Sequence, residues 1–478
     1  MNTRLPRIIQ GGMGVNISSP HLARTVSMLG QQGTVSGVAL ERVLARMLQN
    51  GDVGGHFRRA LSTFPFPDVA SRVFGNYFVE GGISDETSYK AVPPISVNPS
   101  TLFIELVVCA NYAFVWLAKE GHDGLVSINY LEKIAVPHIY AITGAMLAGV
   151  DCITMGAGIP LEIPAVINAI MEGKVATYSV PVIGKNITKV TMSFDPESFF
   201  GKKLPLKRKP RFIPIIASNL LGDLFASIIK KGKMSRDDIF GFVVEEPTAG
   251  GHNAPPRKAV RDEKGMVLPV YGEKDKVDYA KIQKLGFPFW IGGSYATPQK
   301  LKVVIEMGAS GIQAGSIFAL SEESGMDPTI RKLIRRLGYR GELRVRTDMR
   351  ISPTGYPFKL VCLPGTASEL EIYDARPRIC DQSALVDFYE KPDGTIGARC
   401  PSEPVDRYVA KGGLAEETVG RGCLCNGLVV TAGIGNRGEV PIVTMGDDVG
   451  FLQVLMKDEN SSYTAEDAIK WLLEHTVV

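Results

Sequence analysis

Residues 243–252 read VVEEPTAGGH: an apolar run, a turn with two adjacent glycines, then a histidine. The same plan recurs at residues 7–14 (RIIQGGMG), 287–293 (FPFWIGG) and 311–316 (GIQAGS). Each run is strand-like and ends in glycine. Glycine lets the backbone come close to a ligand, and several such ends on one face describe a phosphate-bearing cofactor held at the mouth of a barrel. His252 would then stand beside that cofactor.

Working outward, the strand candidates are 7–10, 33–38, 125–129, 151–155, 212–218, 241–245, 288–291 and 311–314. Helical periodicity lies between them at 39–49, 161–171, 220–231 and 298–307. Thr297-Pro298 has the form of an N-cap followed by proline at the first helical position. Strands alternating with helices predict a parallel α/β architecture, and eight of them suit a closed (β/α)8 TIM barrel. The spacing is uneven, so long loop insertions are expected at about 50–120 and 178–211. The second insertion holds KKLPLKRKPR (202–211), read as a solvated, proline-bearing loop that could alternatively meet a nucleotide phosphate or an acidic carrier protein. After about residue 340 the alternation stops. The expected organisation is a barrel over 1–340 and an irregular, cysteine-containing α+β subdomain over 341–478. Its last segment, 462–478, has an amphipathic helical pattern with Thr464 as N-cap and Asp467 three residues on.

Composition sets limits. The 478 residues are 45% apolar and 22% charged, ordinary for a soluble enzyme. A net charge of +3 gives no reason to expect nucleic acid or an anionic membrane. The start, MNTRLPRIIQGG, lacks an apolar core followed by a cleavage site, so no secretory signal is read there. The most apolar stretch, 106–118, is too short to span a bilayer and reads as a buried helix. The expectation is a cytoplasmic protein with its oligomeric state open. Seven cysteines without a secretory signal argue against a disulfide framework. Cys109 and Cys152 read as small core residues.

Flavin mononucleotide (FMN) serves as the test ligand. Its phosphate needs backbone N–H donors at a helix start, which barrels supply after strands seven and eight. Gly292-Gly293-Ser294 and Gly315-Ser316 occupy those two positions. Gly11, Gly12 and Met13 could lie along the ring, Asn129 could bond its polar edge, and Ser218 sits at a corresponding strand end. Lys133, one turn beyond Asn129, could reach the negative N1/O2 region of a reduced flavin. Gly250 and Gly251 carry His252, whose imidazole is suited to acid/base work near neutral pH. The other five histidines (His21, His56, His122, His138 and His475) lack this context. Gly433, Gly435 and Gly438 spell G-x-G-x-x-G, but Pro441 blocks the helix that a dinucleotide site requires, and that reading is rejected.

At IIQGGMG, GAMLAGVD (144–151), MGAGIP (155–160), EEPTAGGHN, WIGG and GIQAGSIF, in that order, the chain resembles the nitronate monooxygenase (2-nitropropane dioxygenase-like) family. That family includes FMN-dependent enoyl-ACP reductases and the enoyl reductase component of polyunsaturated fatty acid synthases. The resemblance spans roughly residues 5–360. It implies an FMN-binding TIM barrel with His252 as catalytic base in nitronate oxidation, or near the hydride path in the reductases. Common nitronate monooxygenases are shorter and compact between strands two and three, whereas GAMLAGVD, MGAGIP, EEPTAGGHNAPPR and SPTGYPFK (352–359), with the long tail, look closer to the synthase branch. Gly315-Ser316 stands where the family usually has Gly-Thr, keeping the hydroxyl.

The sequence is compatible with three functions. The first is an FMN oxidoreductase acting on an alkyl nitronate, reoxidised by oxygen. The second is an FMN- and NAD(P)H-dependent enoyl-thioester reductase, with acyl carrier protein as partner. The third is a scaffold with a vestigial site, which the retained glycine turns and His252 oppose. Cys380, Cys400, Cys423 and Cys425 could ligate zinc or an iron–sulfur cluster or be buried thiols, and their spacing leaves the metal unknown.

Overall fold

The computed structural model describes residues 5–263 and 265–474. Residues 1–4 and His475, with the three positions after it, lie outside the described residues. Eight parallel strands form one sheet: β1 (Ile8–Gln10), β2 (Gly33–Ser36), β3 (Val126–Leu131), β4 (Cys152–Gly156), β5 (Arg211–Ile216), β6 (Phe242–Glu245), β7 (Phe289–Gly292) and β8 (Gly311–Ala314). Their order is β1-β8-β7-β6-β5-β4-β3-β2. The ends meet: Ile9 bridges Gln32 in parallel, and the Gln10 amide donates to the Gln32 carbonyl at 2.9 Å. The sheet is therefore a (β/α)8 TIM barrel, as the strand count predicts. Every expected strand is present, with edges moved by up to two residues.

The strands hold because both faces are covered, which suits their near-continuous apolar runs. Inside the barrel, Ile9, Cys152, Ile213, Val243 and Trp290 pack in one cluster. Each large side chain so buried is worth about 1.5–3 kcal/mol. The Trp290 indole N–H donates to the Pro6 carbonyl at 2.8 Å, so its burial leaves no polar group unpaired.

Two expectations are corrected. The apolar stretch read as 106–118 belongs to a 19-residue helix, Thr101–Lys119. Its length would suffice to cross a membrane, but 78% of its most apolar window is buried inside the protein. The 178–211 segment is not simply a loop. Ala176–Ile183 and Lys189–Phe194 pair as an antiparallel hairpin, and Pro196–Phe200 is helical. Beyond the barrel, Arg344–Asp348 pairs antiparallel with Phe358–Cys362.

The residues after 340 interleave with the rest. Asp387–Glu390 pairs parallel with the Ala176–Ile183 strand and antiparallel with Ile396–Arg399, making one four-stranded sheet. The last helix, Ala465–Leu473, starts on a capping box between Thr464 and Asp467 and packs on the Pro20–Met28 and Pro298–Glu306 helices. The G-x-G-x-x-G segment follows the Leu424–Thr431 helix, and no helix succeeds it before Leu452–Leu455.

The basic stretch lies away from the mouth. Arg208 pairs with Asp151 at 2.5 Å and Lys209 with Asp238 at 2.6 Å. Asp151 and Asp238 precede β4 and β6, so these pairs mark the amino-terminal end of the barrel. A phosphate bound at the carboxy-terminal ends of the strands could not be reached from there.

Candidate active site

One cleft opens at the carboxy-terminal ends of the strands, with about 1860 Å³ of empty space including its mouth. Gly11, Gly12, Met13, Asn129, Gly250, Gly251, His252, Gly292, Gly293, Gly315 and Ser316 all line it. Residues from five separate turns and strand ends are thus brought together. Ser218 and Lys133 are not in the lining. The Ser218 hydroxyl accepts from the Leu221 N–H as N-cap of the Asn219–Lys230 helix. The Lys133 ammonium sits over the Tyr356 ring, 3.5 Å from its centroid.

Local chemistry shapes each turn. The Gln10 amide donates to Ser18 Oγ and to the Gly11 carbonyl, both at 2.8 Å. Ser18 Oγ in turn accepts from Met13 N at 2.9 Å and donates to Gly11 O at 2.7 Å. This node fixes the Gly11–Met13 backbone. Asn129 packs so close that a Cβ on Gly12 would lie 2.2 Å from the Asn129 Cβ. The Thr154 hydroxyl donates to Asn129 Oδ1 at 2.7 Å, which orients the amide.

His252 is held by the carboxy-terminal segment. It bridges Phe358 in antiparallel fashion, and the Lys359 N–H donates to the Gly251 carbonyl at 2.9 Å. Its Nε2 lies 2.7 Å from Ser352 Oγ, which is itself 2.7 Å from Thr354 Oγ1. Nδ1 has no hydrogen-bond partner among the described residues. Burial first, then the nearby Lys133 charge, push the imidazole down to about 3. It is therefore neutral at physiological pH. Two further contacts tie this segment over the mouth: Gly251 N donates to Thr444 Oγ1 at 2.8 Å, and Gly446 N to Ser316 Oγ at 2.9 Å. The Ser316 hydroxyl keeps its own proton to donate.

Sequence reasoning missed several lining residues. Thr444, Met445 and Gly446 arrive by long-range pairing that no local pattern announces, and so does Ser352, the partner of His252 behind the lining. Arg42 also lines the cleft and donates to the Gln382 carbonyl. Glu245, at the end of β6, lies within VVEEPTAGGH (243–252), and its position at a strand end could have flagged it. Its carboxyl has no ion pair or hydrogen bond among the described residues, and burial pushes it up to about 8.

The sign of that shift gives a prediction. Between about 4.5 and 8 the unfolded chain releases a proton that the folded chain keeps, so Glu245 costs stability as pH rises through that window. Glu245→Gln should abolish its share of the loss. The check is the thermal midpoint of both proteins between pH 4.5 and 8: the curves should diverge upward in pH, and parallel curves would refute the shift.

No family model and no curated protein matches the chain. Among solved structures it is similar to FabK from Thermotoga maritima, at 13% identity over 98% of this chain and 92% of that one, TM-score 0.48. It is similar to a nitroalkane oxidase from Streptomyces ansochromogenes, at 12% identity over 98% and 95%, TM-score 0.44. A third likeness is the enoyl reductase domain of MlnA from the macrolactin biosynthesis cluster of Bacillus amyloliquefaciens, at 11% identity over 98% and 93%, TM-score 0.46. At such scores the barrel assignment rests on the strand order above.

Proposed function

We propose that the chain is an FMN-dependent oxidoreductase that oxidises nitronates or the nitroalkanes that give rise to them, with His252 as the base. The observation that carries this reading is a neutral imidazole at a cleft that the glycine turns after β1, β6, β7 and β8 all line. The residues fit the cofactor: Gly11–Met13 offer a flat wall, and Gly293, Ser294, Gly315 and Ser316 offer N–H and O–H donors for a phosphate. When bound, FMN would supply the electron acceptor that oxygen restores.

The chain's own part is proton handling. His252 Nδ1 is open to take the α-proton, while Ser352 holds the other ring nitrogen and so the ring's orientation. Burial makes the free imidazole a weak base. A negative charge developing beside it would raise its proton affinity and favour the transfer.

One observation favours a second reading, reduction of an enoyl thioester with NAD(P)H. Leu385, Leu424, Leu428, Val429 and Phe451 also line the cleft, a surface suited to an acyl chain. A neutral His252 is a poor acid at pH 7. Glu245, which holds its proton to about pH 8, would then be the donor. An acyl carrier protein would have to dock at the mouth, away from residues 202–211.

Anaerobic absorbance of the flavin-loaded protein separates the two. Bleaching by a nitronate, reversed by air, with no response to NADH or NADPH, is the expected result. Bleaching by a nicotinamide alone moves the assignment to the reductase. A protein that cannot be loaded with FMN loses both readings.

A further inference from the structure

The turns assigned to the flavin phosphate lie against a short piece of the tail. Residues 446–450 (GDDVG) run without helix or strand between two buried anchors, Met445 and Phe451. Polar contacts hold the piece between them. The Gly446 N–H donates to Ser316 Oγ at 2.9 Å, and the Asp447 N–H donates to the Thr248 carbonyl at 3.1 Å. The buried Lys359 ammonium donates to both Asp447 carboxylate oxygens at 2.7 Å. The Lys300 ammonium donates to Asp448 Oδ2 at 3.1 Å and to the Ser294 carbonyl at 2.5 Å. The piece is thus tied to the turns after β6, β7 and β8, and Gly446 and Asp448 line the cleft.

The crossing is close. A Cβ on Gly446 would lie 3.0 Å from the Thr248 carbonyl oxygen and 3.3 Å from Ser316 Oγ. The ties differ in strength. Lys359 is buried, whereas Lys300 and Asp448 keep 45% and 32% of their side-chain surface exposed. Ion pairs so exposed are weak, and a segment held mainly by such contacts opens locally far more readily than packed strands do. Charge matters as well. Asp447 and Asp448 would repel an arriving phosphate unless the two lysines offset them.

We propose that residues 446–450 are a latch over the phosphate end of the cleft, released when Lys300 parts from Asp448, and that FMN enters and leaves while the latch is open. The inference rests on the flavin reading above. Met445 and Phe451 stay packed, so the movement is confined to the piece between them. Opening frees Ser316 Oγ and the turn after β7, the groups assigned to the phosphate. Closing returns Gly446 and Asp447 to their partners and holds the cofactor in place.

The test is stopped-flow flavin fluorescence on the full chain, comparing wild type with Asp448→Asn. Association with FMN and dissociation from the loaded protein should both rise, roughly two- to fivefold, the scale of one half-exposed ion pair. High salt should bring the wild-type dissociation rate toward that of the variant. Riboflavin, which lacks the phosphate, should show the same acceleration, because opening does not depend on the ligand's charge. Gly446→Ala crowds the crossing without touching a charge and should raise both rates too. Hydrogen exchange in the apoprotein should quicken across 446–450 in Asp448→Asn and stay unchanged in β7 and β8. Unchanged flavin rates overturn the latch, and so does a gain confined to FMN association, which is relief of repulsion alone. If neither protein takes up FMN, the flavin reading falls and the latch with it, whereas normal uptake at unchanged rates removes the latch alone.

Discussion

Replacing His252 with alanine lowers turnover by ~100-fold or more, the scale of losing a positioned acid/base, while FMN stays bound. The two effects separate because the imidazole makes no backbone turn of its own. On the proposed reading Gly250 and Gly251 would carry the approach to the cofactor, and Phe358 and Lys359 hold the segment in place. The pH dependence is part of the expectation. His252 titrates at about 3, below its ordinary 6.5, so its neutral form persists across the physiological range. Activity limited by this base should not fall between pH 8 and about pH 5. Stability should behave differently. As pH drops from 6.5 toward 3 the unfolded chain takes up a proton that the folded chain refuses, so the native state is weakened there. His252→Ala should flatten that part of the stability curve. Steady-state turnover, flavin absorbance and thermal midpoints of the two proteins provide the check. A variant with near-normal turnover would remove His252 from the chemistry. Ser352→Ala offers a graded comparison: it removes the partner of Nε2 and should cost less than losing the ring, chiefly in kcat.

The barrel was legible because its strands are buried on both faces and stop at glycine. Those are local features, and β8 is found at its expected bounds, residues 311–314. The same local features place the glycine turns and His252 along one cleft. What failed depends on distant partners. Residues 176–183 alternate buried and exposed positions, yet the prolines nearby suggested a loop, and the strand is completed by Asp387–Glu390 two hundred residues on. Ser218 looked like a ligand donor because it ends a strand, but the helix start takes its hydroxyl first. Lys133 is drawn to Tyr356, which belongs to a turn more than two hundred residues later. The contact between His252 and Ser352 spans 100 residues and could not be read from either neighbourhood alone.

Gly293→Val should lose FMN and destabilise the protein together. Gly293 has φ +106°, a conformation open to glycine and strained for a β-branched residue. A Cβ there would lie 2.8 Å from Thr248 Oγ1 and 2.9 Å from the Glu246 Cβ. The turn after β7 must therefore shift, and strain of this kind costs about 1–3 kcal/mol before the clashes are counted. The loss of flavin alone would then be ambiguous, because a damaged turn also releases a ligand. Gly292→Ala removes the ambiguity. A Cβ at Gly292 has its nearest neighbours at 3.6 Å, so the methyl group fits the folded chain. The melting temperature of Gly292→Ala should match the wild type, while its affinity for FMN falls if the phosphate rests against this turn. Fluorescence titration of the apoprotein with FMN measures that affinity, and calorimetry measures the melting temperatures. Undiminished binding in both variants would place the phosphate elsewhere, and the turn after β8, with Gly315 and Ser316, would be the next position to probe.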